Sequence, residues 1–208
     1  MTKKAPTGKA GEGVIVAGAG LAGSEAAWQL ARRGIPVTLV EMRPLKMTPA
    51  HKTPGFAELV CSNSLGADGT TSAGGILKAE LDLLGSLILD RARRSRVPAG
   101  KALAVDRQVF SEGVTGALTS EPLVTLVREE LREVPQGPAI IATGPLTSEP
   151  LADSLSRLVG EKLLSFFDAV APVVTAESID MTRAYRGGRR GLGDDYINCP
   201  MTREEYEA

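Results

Sequence analysis

Histidine and cysteine are scarce in this chain of 208 residues, which holds one His and two Cys. They offer no metal-ligand spacing, so no zinc centre and no other metal is expected. Cys61 and Cys199 lie far apart and no export signal accompanies them, so reduced thiols are expected rather than a disulfide. Long apolar runs are also missing: none reaches eighteen residues, and no membrane span is expected. The opening stretch "MTKKAPTGKAGEG" has lysines but no apolar core, unlike a secretory signal. A short disordered tail over residues 1–12 and a cytoplasmic location are therefore expected. Charge of one sign is not in excess, with a formal net charge of -1. That balance argues against a globally basic nucleic-acid binder and leaves room for a local basic face. Repeats and low-complexity tracts are absent. What is present is an ordinary composition, 43% hydrophobic, sufficient for one good-sized core or two small ones.

The first organised stretch is "GVIVAGAG", a short apolar run ending in glycines, as in a buried parallel strand. In "LAGSEAAWQLARRG", Leu21, Ala22, Glu25, Ala26 and Leu30 recur at helical spacing, and Gly34 stops the helix. "IPVTLVEM" is a second β-branched strand. Residues 13 to 41 thus predict a βαβ unit. Residues 43 to 70 are punctuated by Pro44, Pro49, Pro54, Gly55, Gly66 and Gly69 and have poor periodicity. Loops of that length inside a compact domain are uncommon and often functional.

Beyond the loop, "SAGGILKAELDLLGS" places Ile76, Leu77, Leu81 and Leu84 at helical spacing. "VPAGKALAVD" reads as extended chain or turn. "DRQVFSEGVTGALTS" predicts a helix capped by Asp106, with Phe110, Val114 and Leu118 on one face. "PLVTLVREELREV" reads as a strand running into a charged edge, and "GPAIIATG" as a third buried strand. "LTSEPLADSLSRLVG" predicts a helix capped by Thr147 or Ser148, with Pro150 in its first turn and Gly160 at its end. After it come short apolar pieces and a tail rich in Gly, Arg and Asp.

"GAGLAG", residues 18 to 23, fits G-x-G-x-x-G between a strand and a helix, the context that gives this motif meaning. Gly18 permits the tight turn, Gly20 lets backbone approach a pyrophosphate, and Gly23 lets the helix pack on the strand. Ala19, Leu21 and Ala22 complete the loop. Its phosphates would lie at the helix N-terminus, where free N–H groups and the dipole favour negative charge. Glu41, 23 residues after Gly18, ends the second strand; a carboxylate there suits the hydroxyls of an unphosphorylated ribose, as in FAD or NAD. The strand end Ala142-Thr143-Gly144 has small residues that let backbone return to a flavin nucleotide, which shifts the choice to FAD.

With these residues in place, "GAGLAGSEAAWQLARRGIPVTLVEMRP", "MTPAHKT", "FAELVCSNSL", "VPAGKALAVDR", "IIATGPLTS" and "YINCPM" occur in order. Together they closely resemble the folate- and FAD-dependent tRNA (uracil-5-)-methyltransferase family of bacterial flavoenzymes, from about residue 13 onward. "FAELVCSNSL" and "ALAVDR" are not general flavoprotein features. The resemblance implies an α/β fold: a Rossmann-like FAD-binding domain over 13–160, including an active-site loop at 43–70, and the start of an incomplete inserted domain over 161–208. It implies FAD as cofactor, methylenetetrahydrofolate and NAD(P)H as co-substrates, and the tRNA T-loop as partner. One carbon would pass from the folate to carbon 5 of a uridine, with reducing equivalents from FAD recharged by NAD(P)H. The sequence sets no oligomeric state.

Cys61 matches the family's "CSNS" cysteine, which is tied to catalysis. In this sequence it stands in a non-periodic loop, flanked by Ser62, Asn63 and Ser64 as hydrogen-bond donors. Attack on uracil carbon 6, protection of the flavin and proton transfer all remain open for it, and free cysteines in general are often buried packing residues. Cys199 is read as a packing residue. His51 has the chemistry to meet a phosphate or carboxylate, though a lone loop histidine is more often a satisfied surface group. "RARRSR" (91–96) and "RAYRGGRR" (183–190) are basic clusters that suit either tRNA phosphates or solvated helix ends. Lys101 replaces a glycine usual in the family, and a side chain there is expected to crowd a tight turn. An aromatic residue usual after Arg189's counterpart is also missing. The family's enzymes are about twice this long and carry a second catalytic cysteine block that is missing here. A truncated, inactive FAD-binding remnant and a general FAD-dependent oxidoreductase are therefore the alternative readings.

Overall fold

A computed structural model describes residues 13–160, 174–188 and 193–207. The expected tail over 1–12 lies outside the described residues, as does most of the junction after residue 160. Strand β1 (Val14–Ala17), helix α1 (Leu21–Ala31) and strand β2 (Val37–Glu41) form the expected βαβ unit. Both strands are parallel, with Val14 opposite Val37 and Ala17 opposite Val40. Strands β6 (Val124–Arg128) and β7 (Ala139–Ile141) add on either side, giving one parallel sheet in the order β6-β2-β1-β7. All four strands therefore end on the same side, where a parallel α/β sheet opens its ligand crevice. The expectation of a fully buried β7 fails, because β7 is the sheet's edge among the described residues and Ile140 is 37% exposed.

One face of the sheet packs against α1 and against α4 (Arg107–Thr119), through Val16, Leu39, Ala27, Phe110, Val114 and Leu118. The other face packs Ile15, Ala17 and Val40 against Leu131 and against Leu151 of α5 (Glu149–Val159). The predicted apolar face of α4 is therefore core, and Asp106 caps it by accepting from the N–H groups of Gln108 and Val109. Gly160 ends α5 in a left-handed conformation, as expected, but Ser148 makes no side-chain cap bond.

The loop at 43–70 is not wholly irregular. Its end forms β3 (Ser64–Ala67), which pairs antiparallel with β5 (Ala102–Val105), itself paired with β4 (Arg96–Val97). The stretch "VPAGKALAVD" thus supplies a sheet strand as well as a turn. Lys101 is a central residue of that turn, which closes with Ala102 N–H donating to the Ala99 carbonyl, and its side chain is exposed, so no crowding follows. Helix α2 (Ala73–Leu83) forms as predicted, but its apolar stripe is largely uncovered, with Ile76 48% and Leu77 56% exposed. Helix α3 (Leu87–Arg94) has no counterpart among the elements expected from sequence; Ser86 caps it and Leu87, Leu89 and Ala92 bury it. Further along, β8 (Tyr185–Arg186) pairs with β9 (Ile197–Asn198), and α6 (Arg203–Glu207) follows. The Tyr196 hydroxyl donates to the Ala99 carbonyl at 2.7 Å, tying this segment to the β4–β5 turn.

Candidate cofactor site

At the C-terminal ends of β1, β2 and β7 lies a cleft of about 270 Å³. Gly18, Gly20, Leu21, Ala22, Glu41, Ala142, Thr143 and Gly144 all line it, the grouping that the sequence motifs imply. Ala19 and Gly23 lie behind this wall. Gly18 has φ +94°, and a Cβ on it would come within 2.7 Å of the Ala142 carbonyl oxygen. A Cβ on Gly23 would strike the Gly18 carbonyl. Gly20 differs from both, since a Cβ there meets nothing within 4 Å and would project into open space. The helix N-terminus beside it has no side-chain cap and no acidic residue in its first turn. Its leading N–H groups are left without intrahelical partners, as at the start of any helix. This is a cradle for a phosphate group, closed to a side chain at two glycines and open at the third.

Glu41 is 5% exposed. Its Oε2 accepts the Ala19 N–H at 2.9 Å, and its Oε1 accepts the N–H of Arg43 at 2.9 Å and Arg43 Nε at 3.0 Å. Arg43 Nη2 adds a longer bond at 3.3 Å. Burial raises the pKa of this carboxyl, but the hydrogen bonds and charge of Arg43, with the Ala19 N–H, outweigh it and hold it below 4.5. Glu41 is thus first a structural anchor of the glycine loop, and a ribose hydroxyl would join donors already in place.

Arg43 continues the network. Its Nη1 donates to Glu58 Oε2 at 3.0 Å and to the Thr53 carbonyl at 3.3 Å. Glu58 in turn accepts the N–H groups of Lys52 and Thr53 and the Thr53 hydroxyl. Arg128, opposite Glu41 in the β2–β6 ladder, donates to the carbonyls of Arg43 and Pro54 and stacks 4.8 Å from the Phe56 ring centroid. Phe56 is fully buried, and its N–H and carbonyl bond to Thr115 and Ser111 of α4. Ala57 sits at φ +49° and donates its N–H to the Ala19 carbonyl. The irregular loop is therefore wired to the phosphate loop at atomic range.

Thr48 and His51 complete the wall. Thr48 Oγ1 lies 2.6 Å from His51 Nδ1 and accepts the His51 backbone N–H at 3.1 Å. Burial lowers the His51 pKa below 6.5, and nearby Arg43 lowers it further, while Glu58 and Glu41 partly offset this. Across the cleft, Thr147 gives its hydroxyl proton to the Gly144 carbonyl, so the Thr143 hydroxyl donates to Thr147 at 2.6 Å.

Cys61 is exposed and free, one residue past Val60, which lines the cleft. Its polar neighbours do not surround the thiol. Ser62 and Ser64 accept backbone N–H groups of their own turn, and Asn63 bonds the Val105 carbonyl. Cys199 is exposed as well, which overturns the expectation of packing. In "RARRSR", Arg93 pairs with Asp82 and Asp68, and Arg94 with Asp90. They border a separate groove of about 640 Å³ beside Trp28 and Arg32. Arg183 pairs with Glu205, and Arg189 and Arg190 lie outside the described residues. No cluster of potential metal ligands occurs among the described residues. No helix among them is long and apolar enough to cross a membrane.

Sequence pattern does not single out Arg43, Thr48 or Glu58. The spacing Glu41-x-Arg43 at a strand end is the signal that could have found the first of them.

The parallel sheet, the glycine loop and its strand-end acid define a Rossmann-type dinucleotide-binding α/β protein. Residues 13–208 match the family described as Glucose inhibited division protein A, and the chain belongs to that family. It is 64% identical over 197 residues to the methylenetetrahydrofolate--tRNA-(uracil-5-)-methyltransferase TrmFO of Desulforudis audaxviator, covering 94% of this chain and 45% of the relative. To the proteins of the same name from Anoxybacillus flavithermus and Thermus thermophilus it is 60% and 58% identical, each over 195 residues. Those matches cover 93% and 94% of this chain and 45% and 44% of the relatives. The chain thus spans less than half the length of these curated relatives.

Proposed function

We infer that this chain forms the FAD-holding part of a flavoenzyme that methylates carbon 5 of a T-loop uridine in tRNA, with methylenetetrahydrofolate as one-carbon donor and NAD(P)H as reductant. One observation carries the reading: a cleft built by Gly20, Glu41 and Ala142–Gly144 occurs in a chain 58–64% identical to relatives named for that reaction. FAD, when bound, supplies the redox chemistry. The residues of this chain hold and orient it. The first turn of α1 and Gly20 receive the diphosphate, and Glu41 and Arg43 fix the shape of the nucleotide end. Ala142–Gly144 form the facing wall. Cys61 is the thiol for uracil chemistry, accessible and fixed on a turn anchored to β5. A cytoplasmic site of action fits this substrate. Residues 161–208 belong to a second domain.

The share of the relatives' length that is covered, and the place of β7 at the edge of the sheet among the described residues, favour a second reading in which the chain binds FAD but does not methylate. The test is purification of the chain, its visible spectrum, and incubation with unmodified tRNA, methylenetetrahydrofolate and NADPH. Yellow protein that methylates the T-loop supports the first reading. Yellow protein without methylation supports the second, and colourless protein contradicts both.

A further inference from the structure

The charges around the cleft do not match the ligand proposed for it. Glu41, Glu58, Glu129 and Glu130 line it, and a dinucleotide brings a further diphosphate dianion. Only two basic side chains face them among the described residues, Arg43 and His51. Arg43 is committed, since its guanidinium bonds to both Glu41 and Glu58 and is almost fully buried. Glu130 is paired with Lys46 outside the cleft at 2.6 Å. The α1 turn contributes Leu21 and Ala22, and the opposite wall Ala142 to Ser148, none of them ionisable. Among the described residues, His51 is therefore the one group in the cleft free to gain positive charge when an anion enters.

Its geometry suits that task. The Thr48 hydroxyl already accepts the His51 backbone N–H, and it can give its own proton to Nδ1 at 2.6 Å. In the neutral ring this arrangement leaves the ring proton on Nε2, available to a ligand. Burial, and then the nearby Arg43, favour the neutral ring, while Glu58 and Glu41 partly offset them.

We propose that His51 is the cationic contact for the cofactor diphosphate, taking up a proton as the dinucleotide binds. This rests on the reading of the cleft as an FAD site. Binding then follows linkage: the His51 pKa is higher in the complex than in the free chain. FAD affinity therefore rises as pH falls through the window between the two values, by at most ~tenfold per pH unit. The lower edge of that window lies below the ordinary 6.5, because burial and Arg43 depress the value in the free chain.

The test is calorimetric titration of the flavin-free 208-residue chain with FAD, in two buffers of different ionisation enthalpy. Net proton uptake is expected in the wild type and none in His51→Gln, which keeps a polar side chain beside Thr48. The variant should bind FAD several-fold more weakly at about pH 6 and equally well at about pH 8.5. The ³¹P resonances of bound FAD should shift with pH in the wild type and stay flat in the variant. FAD binding without proton uptake, uptake that persists in His51→Gln, or pH-independent ³¹P resonances in the wild type would each overturn the role of His51 alone. Failure of the chain to bind FAD at any pH would overturn the site reading together with it.

Discussion

The Ala19 N–H donates to Glu41 Oε2 at 2.9 Å, fastening the glycine loop to the tip of the neighbouring strand. On its other side the Ala19 carbonyl accepts the N–H of Ala57. One residue of the phosphate loop is thus held by the acid at the end of β2 and by the irregular segment that leads to Cys61. Glycine loop, strand end and the segment leading toward Cys61 are parts of one hydrogen-bonded unit.

Glu41 and Arg43 are both nearly inaccessible, so removing Arg43 leaves Glu41 buried without a counter-ion, whereas removing Glu41 leaves Arg43 with Glu58 alone. Arg43→Met is expected to destabilise the chain by about 3–5 kcal/mol, whereas the apolar double replacement Glu41→Leu, Arg43→Met costs less than the sum of Glu41→Leu and Arg43→Met taken singly. Urea denaturation of the four proteins of this cycle checks it; additive costs would mean the two side chains do not cooperate.

The same carboxyl sets part of the acid response. Its folded-state pKa is depressed below the ordinary 4.5, so its contribution is fully present above that value and is lost as pH falls through the folded-state value. Thermal melts of the wild type should therefore fall off more steeply below about pH 4.5 than those of Glu41→Gln. Parallel acid limbs would show that Glu41 carries no depressed pKa.

The three motif glycines should separate by experiment. Gly23→Ala places a methyl against the Gly18 carbonyl and is expected to prevent folding of the βαβ unit. Gly20→Ala meets only open space, so the chain should fold normally and lose FAD affinity by about tenfold or more. Circular dichroism and flavin fluorescence distinguish the two. Equal behaviour would remove the basis for assigning Gly20 to the ligand.

Ala57 offers a test of strain at the site. Its left-handed conformation costs a non-glycine residue about 1–2 kcal/mol, and its buried methyl contributes about 0.8 kcal/mol. Ala57→Gly should therefore lie within about 1 kcal/mol of the wild type, while Ala57→Val should destabilise by about 2 kcal/mol or more. Chemical denaturation measures both.

The parts that local pattern controls were legible in the sequence. β1, α1 and β2 follow from apolar runs and glycine spacing, α4 from Asp106 and its apolar face. The cleft was legible as far as it is built from strand ends. What escaped is held by bonds between distant residues. β3 has the weak sequence Ser-Leu-Gly-Ala and is a strand only because β5 pairs with it. The loop from Arg43 to Glu58 has no periodicity, since side chains of Arg43, Glu58 and Arg128 order its backbone, and Thr115 reaches Phe56 across 59 positions. Helix α3 is short, and its cap at Ser86 was its main local signal.

Cys61 should be dispensable for holding the cofactor, because the thiol is exposed and outside the cleft wall. Cys61→Ala is expected to retain bound flavin and lose uridine methylation in any form of the chain that methylates. Unchanged turnover would end its assignment to catalysis.

The most direct measurement is an FAD titration of the flavin-free chain beside its Gly20→Val variant, with folding of both verified by circular dichroism. The geometry of the cleft predicts that the wild type binds one FAD per chain and that the folded variant, with its phosphate cradle filled, binds none. A folded wild type that binds no FAD, or a variant that binds it equally well, would contradict it.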